Sequence, residues 1–325
     1  MKKIISMICV AVILFVSVIP VSASDNNEQT LTSTELSVKR ITAELTGKTE
    51  KELAKDILRE LGMPERIIRQ VNEEYLEKVY SAKCISTEKE YGKFTEDKTA
   101  VIVTEEEYLE EAATKVDDGV MMLSLTGETE DSYPDKYFLK SIYAIETKNA
   151  ETGTIAVLCS FEWLDEPLFR CKDAIAISGT NVVFDEEETI VSMGYTQTVT
   201  NMGSQSITAT DVIEDYDFHE LDLEGNTFFA GDFVSAACNL PNDVPAGTIN
   251  VNCTDIVLLI MASCVVNEIN PNQQMNLSFT GWYFHQTIGW ETSIEISKES
   301  ASLSITPSWM YRDPSQIQIK PKFSV

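Results

Sequence analysis

Residues 137–164 read YFLKSIYAIETKNAETGTIAVLCSFEWL, and this stretch decides the class of fold. Two runs rich in aromatic and β-branched residues, 137–147 and 154–164, flank the polar segment 148–153, which contains asparagine and glycine. Such an arrangement is typical of two antiparallel strands joined by a short loop. The apolar side chains that share one face of the second run are Ile155, Val157, Cys159, Phe161 and Trp163. We therefore predict a β-hairpin with one face directed into a core.

Further strand-like runs follow this hairpin along the chain. They are 174–178, 189–200, 228–238, 255–266, 275–285 and 292–297, with alternating segments at 302–306 and 317–320. Turn-forming clusters separate these runs, and helical periodicity is almost absent from this part of the chain. Many short strands without intervening helices are typical of two antiparallel sheets packed face to face. We therefore predict an antiparallel β-sandwich over residues 136–325.

The residues before the hairpin have a different pattern. Thr49 and Glu52 match a helix-capping box, and leucine and isoleucine then recur at helical spacing. A second helix is expected over 64–80, and a third, short helix follows further on. We predict a polar linker at 24–46 and a helical region with an acidic connection at 47–135. The whole chain is therefore expected to have an α+β fold, with a short N-terminal helical region followed by an antiparallel β-sandwich.

The first residues have the three parts of a secretory signal peptide. Lys2 and Lys3 supply the positive charge, residues 4–19 are almost entirely apolar, and small residues precede a cleavage point after Ala23. We therefore expect residues 1–23 to be removed. A retained membrane anchor is the alternative, but the apolar run is short for a span of about 20 residues.

The later sequence offers no second anchor. Its most apolar run, 256–266, has eleven residues, whereas a transmembrane helix needs about 20. Its β-branched composition favours a buried strand instead. We therefore expect a secreted, extracellular protein without a membrane span once the signal peptide is removed.

The charge of the chain restricts its partners. The net charge is −27, and loss of Lys2 and Lys3 with the signal peptide takes it to −29. Between Lys172 and Lys298 there is no Lys or Arg, while 18 Asp or Glu lie in that interval. Affinity for polyanions comes largely from Lys and Arg, so nucleic acid is excluded as an expected partner and cationic partners are favoured. Solubility through self-repulsion is the simpler interpretation of this charge.

Six cysteines follow the predicted cleavage point: Cys84, Cys159, Cys171, Cys238, Cys253 and Cys264. An even number in an exported chain permits three disulfides. Free cysteine also behaves as a small buried hydrophobic residue, and Cys159 lies on the apolar face of its predicted strand. The sequence leaves both alternatives open.

An acidic segment is the first candidate site. Asp215, Asp217, His219 and Asp222 lie close together in the sequence, and oxygen ligands in one loop suit calcium. The spacing fails the EF-hand pattern, because Glu220 stands where glycine is needed for the turn. A solvated acidic loop is the favoured interpretation, and a calcium-dependent adhesive domain is the alternative. No other cofactor is indicated.

An aromatic segment is the second candidate site. Trp282, Tyr283, His285 and Trp290 lie on or near one predicted strand, and such rings can cover the apolar face of a sugar. Rings in this pattern more often belong to a core. None of the common hydrolase or nucleotide-binding motifs is present, and carboxylates are too plentiful for a glycosidase pair to be recognised from sequence.

One segment carries a resemblance. Trp163, Pro167, Arg170, Asp173 and Ile177 form the pattern W-x-x-x-P-x-x-R-x-x-D-x-x-x-I, which is similar to that of uncharacterised exported proteins of Gram-positive bacteria. The resemblance implies export and a β-rich fold, and no catalytic residue. We expect Arg170 and Asp173 to form an ion pair that fixes the fold.

The sequence therefore favours a non-enzymatic extracellular or envelope protein that binds a partner outside the cell or has a structural role. The alternative is a secreted carbohydrate-active enzyme or sugar-binding module that uses the aromatic segment. An exposed groove lined by those rings, with two carboxyl groups about 5–10 Å apart, would favour the enzyme.

Overall fold

The structure is a computed structural model that describes most of the chain between Gln29 and Pro321. The described ranges are 29–95, 100–117, 136–147, 154–164, 172–218, 227–267, 277–285 and 315–321, together with Arg170 and Leu221. The predicted signal peptide lies outside the described residues, as do the strand-like segments at 292–297 and 302–306.

The elements follow one another in a helix-rich first quarter and a strand-rich remainder. The helices are α1 (Ser33–Thr46), α2 (Glu50–Glu60), α3 (Glu65–Ile68), α4 (Glu73–Ser81) and α5 (Glu105–Asp117). The first strands are β1 (Gln29–Leu31), β2 (Ala82–Phe94), β3 (Ala100–Ile102), β4 (Lys136–Thr147), β5 (Thr154–Trp163), β6 (Lys172–Gly179), β7 (Val182–Phe184) and β8 (Ile190–Asn201). The later strands are β9 (Ser206–Asp217), β10 (Thr227–Phe229), β11 (Phe233–Asn239), β12 (Val244–Ala246), β13 (Ile249–Val266), β14 (Phe279–His285) and β15 (Ser315–Ile319).

These strands form two antiparallel sheets. The large sheet has the order β1-β2-β4-β5-β13-β8-β9, with β3 beside β2 and with β7 and β12 beside β13. The small sheet has the order β10-β11-β6-β14-β15. One core lies between the two sheets, and helices α1 to α4 pack on the other face of the large sheet. The predicted α+β fold with an antiparallel β-sandwich is confirmed.

The central strands of the large sheet are buried on both faces, which explains their continuous apolar sequence. In β13, Ile256, Leu258 and Ile260 face the small sheet, whereas Val257 and Leu259 face the helices. A strand covered on only one face would alternate apolar and polar residues. The 256–266 run is therefore a buried strand, as predicted.

The predicted linker at 24–46 is wrong for residues 33–46, which form α1. Thr32 and Glu35 form a capping box at its start, and Gly47 ends it in a left-handed conformation. The helix was missed because only three of its residues are buried. One of these is Arg40, whose guanidinium donates hydrogen bonds to the carbonyl groups of Tyr80 and Ala82.

The predicted helical region at 47–135 contains a long strand, β2, which the sequence pattern did not indicate. β2 pairs with β4 over most of its length and so belongs to the large sheet. The helices before it contribute Leu53, Ile57 and Tyr75 to a core that also includes Tyr143 of β4 and Leu259 of β13. A boundary at residue 136 therefore does not separate two independent cores.

Candidate functional site

The aromatic strand β14 directs its candidate binding residues into the core. Alternate residues of a strand face opposite sides of the sheet, so Tyr283 and His285 point inward toward the large sheet. Tyr283 is 1 % exposed and His285 is 3 % exposed. The predicted sugar-binding face is therefore wrong for these two residues, because their rings are covered by the core.

Tyr283 and His285 belong to a buried polar network that joins the two sheets. Asp173 of β6 lies opposite His285 in register, and its Oδ1 is 2.8 Å from His285 Nδ1. The Tyr283 hydroxyl donates to Asp173 Oδ2 and accepts a 2.7 Å hydrogen bond from Nε1 of Trp163, on β5 of the large sheet. Burial and the Asp173 charge hold the pKa of Tyr283 well above its usual value, so the hydroxyl remains a donor. These buried polar groups are hydrogen-bonded to one another, and the network stabilises the packing of the two sheets.

The remaining aromatic candidates do not complete a groove in the described structure. Trp282 lies on the outer face of the small sheet, half-buried beside Phe284, Ala174 and Ala237. Its indole nitrogen donates to the hydroxyl of Ser178 at 3.2 Å. Trp290 lies outside the described residues.

The acidic segment is described only in part. Asp215 is exposed on β9, where it lies opposite Ser192 in the neighbouring strand. The side chain of Asp217 lies outside the described residues, as do His219 and Asp222. Within the described ranges, no group of three or more His, Cys, Asp or Glu side chains is arranged to hold a metal ion. The calcium site stays a prediction.

Arg170 and Asp173 each have other partners, so the ion pair expected between them is wrong. Arg170 contacts Asp243 at 2.8 Å and the carbonyl oxygen of Pro241 at 3.0 Å. Asp173 points instead into the core, where it is fully buried against Tyr283 and His285. Asp173 is the second residue of β6, and the alternation of that strand turns its side chain inward.

The described cysteines carry free thiols: Cys84, Cys159, Cys238, Cys253 and Cys264. Cys171 lies outside the described residues. Burial raises the pKa of Cys159 to about 12 and that of Cys84 to about 11, which disfavours the reactive thiolate. Cys159 packs against Gly281 of β14, where an added Cβ would clash with its sulfur. The interpretation of Cys159 as a core residue is confirmed.

The structure contains a cleft that the sequence did not indicate. The cleft lies between α3 and the outer strands of the large sheet and has a volume of about 220 Å³. Its charged and polar side chains come from Arg66, Arg69, Gln70, Thr196, Asp211 and Asp255. Gly194 forms part of its floor, because a Cβ there would clash with the Gln70 amide. We call this feature the α3 cleft.

A break in a predicted helix creates the α3 cleft. The sequence pattern predicted one helix over 64–80, whereas the chain forms α3, leaves helical conformation near Val71, and begins α4 after Asn72. Asn72 caps α4 by accepting a 3.0 Å hydrogen bond from the Tyr75 backbone nitrogen. An asparagine followed by Glu73 and Glu74 is a helix-start signal that could have revealed this break.

Ion pairs tie α3 to the sheet. Arg66 contacts Glu162 of β5 and lies 2.8 Å from Asp255, and Arg69 contacts Asp211 of β9. Burial raises the pKa of the Glu162 carboxyl, although the Arg66 guanidinium opposes this change. Glu162 Oε2 and Gln70 Oε1 are both buried, and neither accepts a hydrogen bond of normal geometry from a described residue, although the Tyr108 hydroxyl lies close to the Glu162 carboxyl. The α3 cleft therefore combines paired charges with unused buried acceptors nearby.

Strand β9 forms one wall of the α3 cleft and the edge of the large sheet. It has 12 residues, and no described strand pairs with its outer side. Residues 206–211 are exposed, as are Ile213 and Asp215. An edge strand of this length presents unpaired backbone donors and acceptors to solvent.

The comparisons with known proteins identify no family. No family model matches the chain, and no curated protein matches it. Clostridium perfringens delta-toxin is 7 % identical, with 73 % of this chain and 88 % of that chain covered and a TM-score of 0.21. A solved structure described as a pore forming protein is also 7 % identical, with 57 % and 86 % covered and the same TM-score. A TM-score of 0.21 is too low to transfer a fold or an activity. None of the described helices is long and apolar enough to cross a membrane.

Proposed function

We propose that the chain is an exported, non-enzymatic protein that binds a partner outside the cell through the acidic outer edge of its large sheet. The observation that carries this proposal is the position of β9, whose Asp211 and Asp215 lie exposed on an edge that pairs with no other described strand. Arg69 pairs with Asp211, and no Lys or Arg lies between Lys172 and Lys298 in the sequence to pair with the other acids of this surface. The N-terminal pattern supports export.

The burial of the most reactive described groups supports a non-enzymatic role. Asp173 and His285 form a carboxylate–imidazole pair of the kind used in acid–base chemistry. Both are buried and bonded within the core, where a substrate would have to displace Trp163 or Tyr283. A carbohydrate-active role through Tyr283 and His285 loses its support for the same reason.

The proposal is tested in the cells that produce the protein. N-terminal sequencing of the chain recovered from the medium or cell surface is expected to begin at Ser24. Purified residues 24–325 added to these cells are expected to bind and to be released by salt, because exposed charges are screened at high ionic strength.

A matched pair of variants locates the binding surface. Asp211→Asn, Glu214→Gln and Asp215→Asn together are expected to abolish cell binding. A control with Glu44→Gln, Glu50→Gln and Glu77→Gln removes the same charge from exposed positions on the helices and is expected to bind normally. Equal binding by both triple variants, or absence of the chain from the cell exterior, would contradict the proposal.

A further inference from the structure

We infer that β9 accepts an extended, cationic polypeptide segment as an additional strand, and that a Lys or Arg side chain of this segment enters the α3 cleft. The inference rests on the proposed function and specifies its partner class and binding mode. Strand addition obtains affinity from main-chain hydrogen bonds and specificity from pockets for alternate side chains. The outer edge of the large sheet offers both features.

Among the described residues, the outer backbone of β9 is available for pairing. Its inner side forms the full antiparallel ladder with β8, from Ile190 opposite Asp217 to Asn201 opposite Ser206. Its outer side has no partner among the described strands. Within the strand, neither proline nor lysine occurs, and these are residues that commonly protect an edge from pairing.

The cleft lies where side chains of an added strand would project. Asp211 and Ile213 line it, and they are alternate residues on the face of β9 that looks toward α3. An added strand would lie about 4.8 Å from β9. Alternate side chains of that strand would stand beside Asp211 and Ile213, at the open side of the α3 cleft.

The acceptors in the cleft select a cation. Gln70 is 3 % exposed, and its Oε1 has no hydrogen-bond partner among the described residues. Two carboxylates, of Asp211 and Asp255, lie in the same cleft. Arg66 and Arg69 pair with these two carboxylates, so the ionised side chains that line the cleft balance in charge, and the excess negative charge comes from the exposed Asp215 on the same face of β9. An ammonium or guanidinium group can donate to these acceptors, which a carboxylate cannot do.

Charge also selects against a second copy of this chain as the added strand. Two β9 strands placed side by side would bring Asp211, Glu214 and Asp215 of each copy close together. Like charges on neighbouring strands are destabilising. A heterologous segment with alternating Lys or Arg residues avoids this repulsion and complements the acidic edge.

The test uses the fluorescein-labelled peptide acetyl-Thr-Lys-Val-Lys-Thr-Lys-Val-Thr-amide and purified residues 24–325. Its lysines lie on one face when the peptide is extended. Saturable binding is expected by fluorescence anisotropy at physiological salt. A peptide with Gln in place of Lys is expected to bind roughly tenfold more weakly, because its side-chain hydrogen bonds are no longer charge-assisted. A peptide N-methylated at its four central residues is also expected to bind roughly tenfold more weakly, because it loses backbone donors.

Variants of the protein distinguish binding in the α3 cleft from general electrostatic attraction to an acidic protein. Asp211→Asn and Gln70→Met are each expected to weaken peptide binding roughly tenfold, as for loss of one hydrogen bond to a charged group. Glu77→Gln, on exposed helical surface, serves as the control and is expected to leave binding unchanged. Asp211 is exposed, so its substitution keeps the test decisive even if Gln70→Met unfolds the protein.

If the N-methylated peptide bound as tightly as the unmodified lysine peptide, strand addition would be overturned. If Glu77→Gln weakened binding as much as Asp211→Asn does, the role of the α3 cleft would be overturned. Failure of the lysine peptide to bind would overturn the inference as a whole, as would self-association that a β9 variant abolishes. A protein that binds producing cells through the acidic edge but ignores the peptide would retain the proposed function and lose only this inference.

Discussion

At the scale of single residues, the molecule handles its buried polar groups in two different ways. The network of Trp163, Tyr283, Asp173 and His285 is closed within the core, so each group supports the packing of the two sheets. The pair of Arg66 and Glu162 is open on one side, because Arg66 also lines the α3 cleft. Glu162 Oε2 accepts no hydrogen bond of normal geometry in the part of the chain that the structure describes. In this second arrangement, replacing Arg66 and replacing Glu162 are therefore expected to have unequal effects on stability.

We predict that Arg66→Met destabilises the protein by about 3 kcal/mol at pH 7, because it leaves the Glu162 carboxylate buried without its partner. Glu162→Gln is expected to cost no more than about 1 kcal/mol, since it removes the charge that burial disfavours. Urea denaturation measures both values. Arg59→Met, which breaks exposed ion pairs with Asp56 and Glu65, is the control and is expected to cost less than about 1 kcal/mol.

The same variants have a predicted dependence on pH. Burial raises the pKa of Glu162 in the folded protein, so the folded state binds this proton more tightly than the unfolded state does. The associated stabilisation is present below the unfolded pKa and is lost as the pH rises through the folded pKa. Arg66→Met removes the group that opposes the increase, and the variant is expected to recover stability as the pH falls from 7 toward the unfolded pKa of Glu162. The double variant Arg66→Met, Glu162→Gln should lack this recovery. Equal pH profiles for the single and double variants would contradict the assignment of the pH dependence to Glu162.

At the scale of elements, the break between α3 and α4 determines the site. If residues 64–80 formed one helix, Arg69 and Gln70 would continue its regular surface rather than lie against Asp211 of β9 and Gly194 of β8. We predict that Asn72→Ala destabilises the protein by about 1 kcal/mol, because α4 loses its N-cap. Thermal or urea unfolding measures the change. Asn72→Ser, which retains a capping oxygen, is expected to be close to wild type, and an equal loss for both variants would contradict a capping role.

The elements also show which structural features the sequence could predict. Strands such as β4 and β5 were predictable because aromatic and β-branched runs flank a short polar turn. Helix α1 has local start and stop signals at Thr32, Glu35 and Gly47, but only three of its residues are buried, so its apolar pattern is weak. Strand β2 was not predictable, because it is held by pairing with β4, a distant segment of the chain. Local patterns carry no information about such pairings.

The candidate site was less predictable than the fold for the same reason. Tyr283 and His285 were singled out as aromatic and titratable residues, but their inward direction depends on which face of β14 meets the large sheet. The α3 cleft joins Arg66 to Asp255, which is 189 positions away in the sequence. No single motif spans that separation. Only the order of strands, which brings β13, β8 and β9 side by side, places these residues together.

At the scale of the whole molecule, the helices and both sheets depend on one another. Residues of β4, β5 and β13 on the outer face of the large sheet, including Tyr143, Leu158 and Leu259, are fully buried beneath α1 to α4. Strand β2 separates β1 from β4 within the same sheet. Removing residues 24–135 would expose this apolar face and leave β4 as a new edge.

We therefore predict that residues 136–325 do not fold as an independent sandwich. An exposed apolar face is a site of aggregation, and loss of buried apolar area costs roughly 25 cal/mol per Å². The fragment is expected to lack a cooperative thermal transition in circular dichroism and to bind hydrophobic dyes. Residues 24–325 are the control and are expected to melt cooperatively. A cooperative, dye-free fragment would mean that the boundary at 136 is a true domain boundary, and that α1 to α4 cover the sheet without being required for its stability.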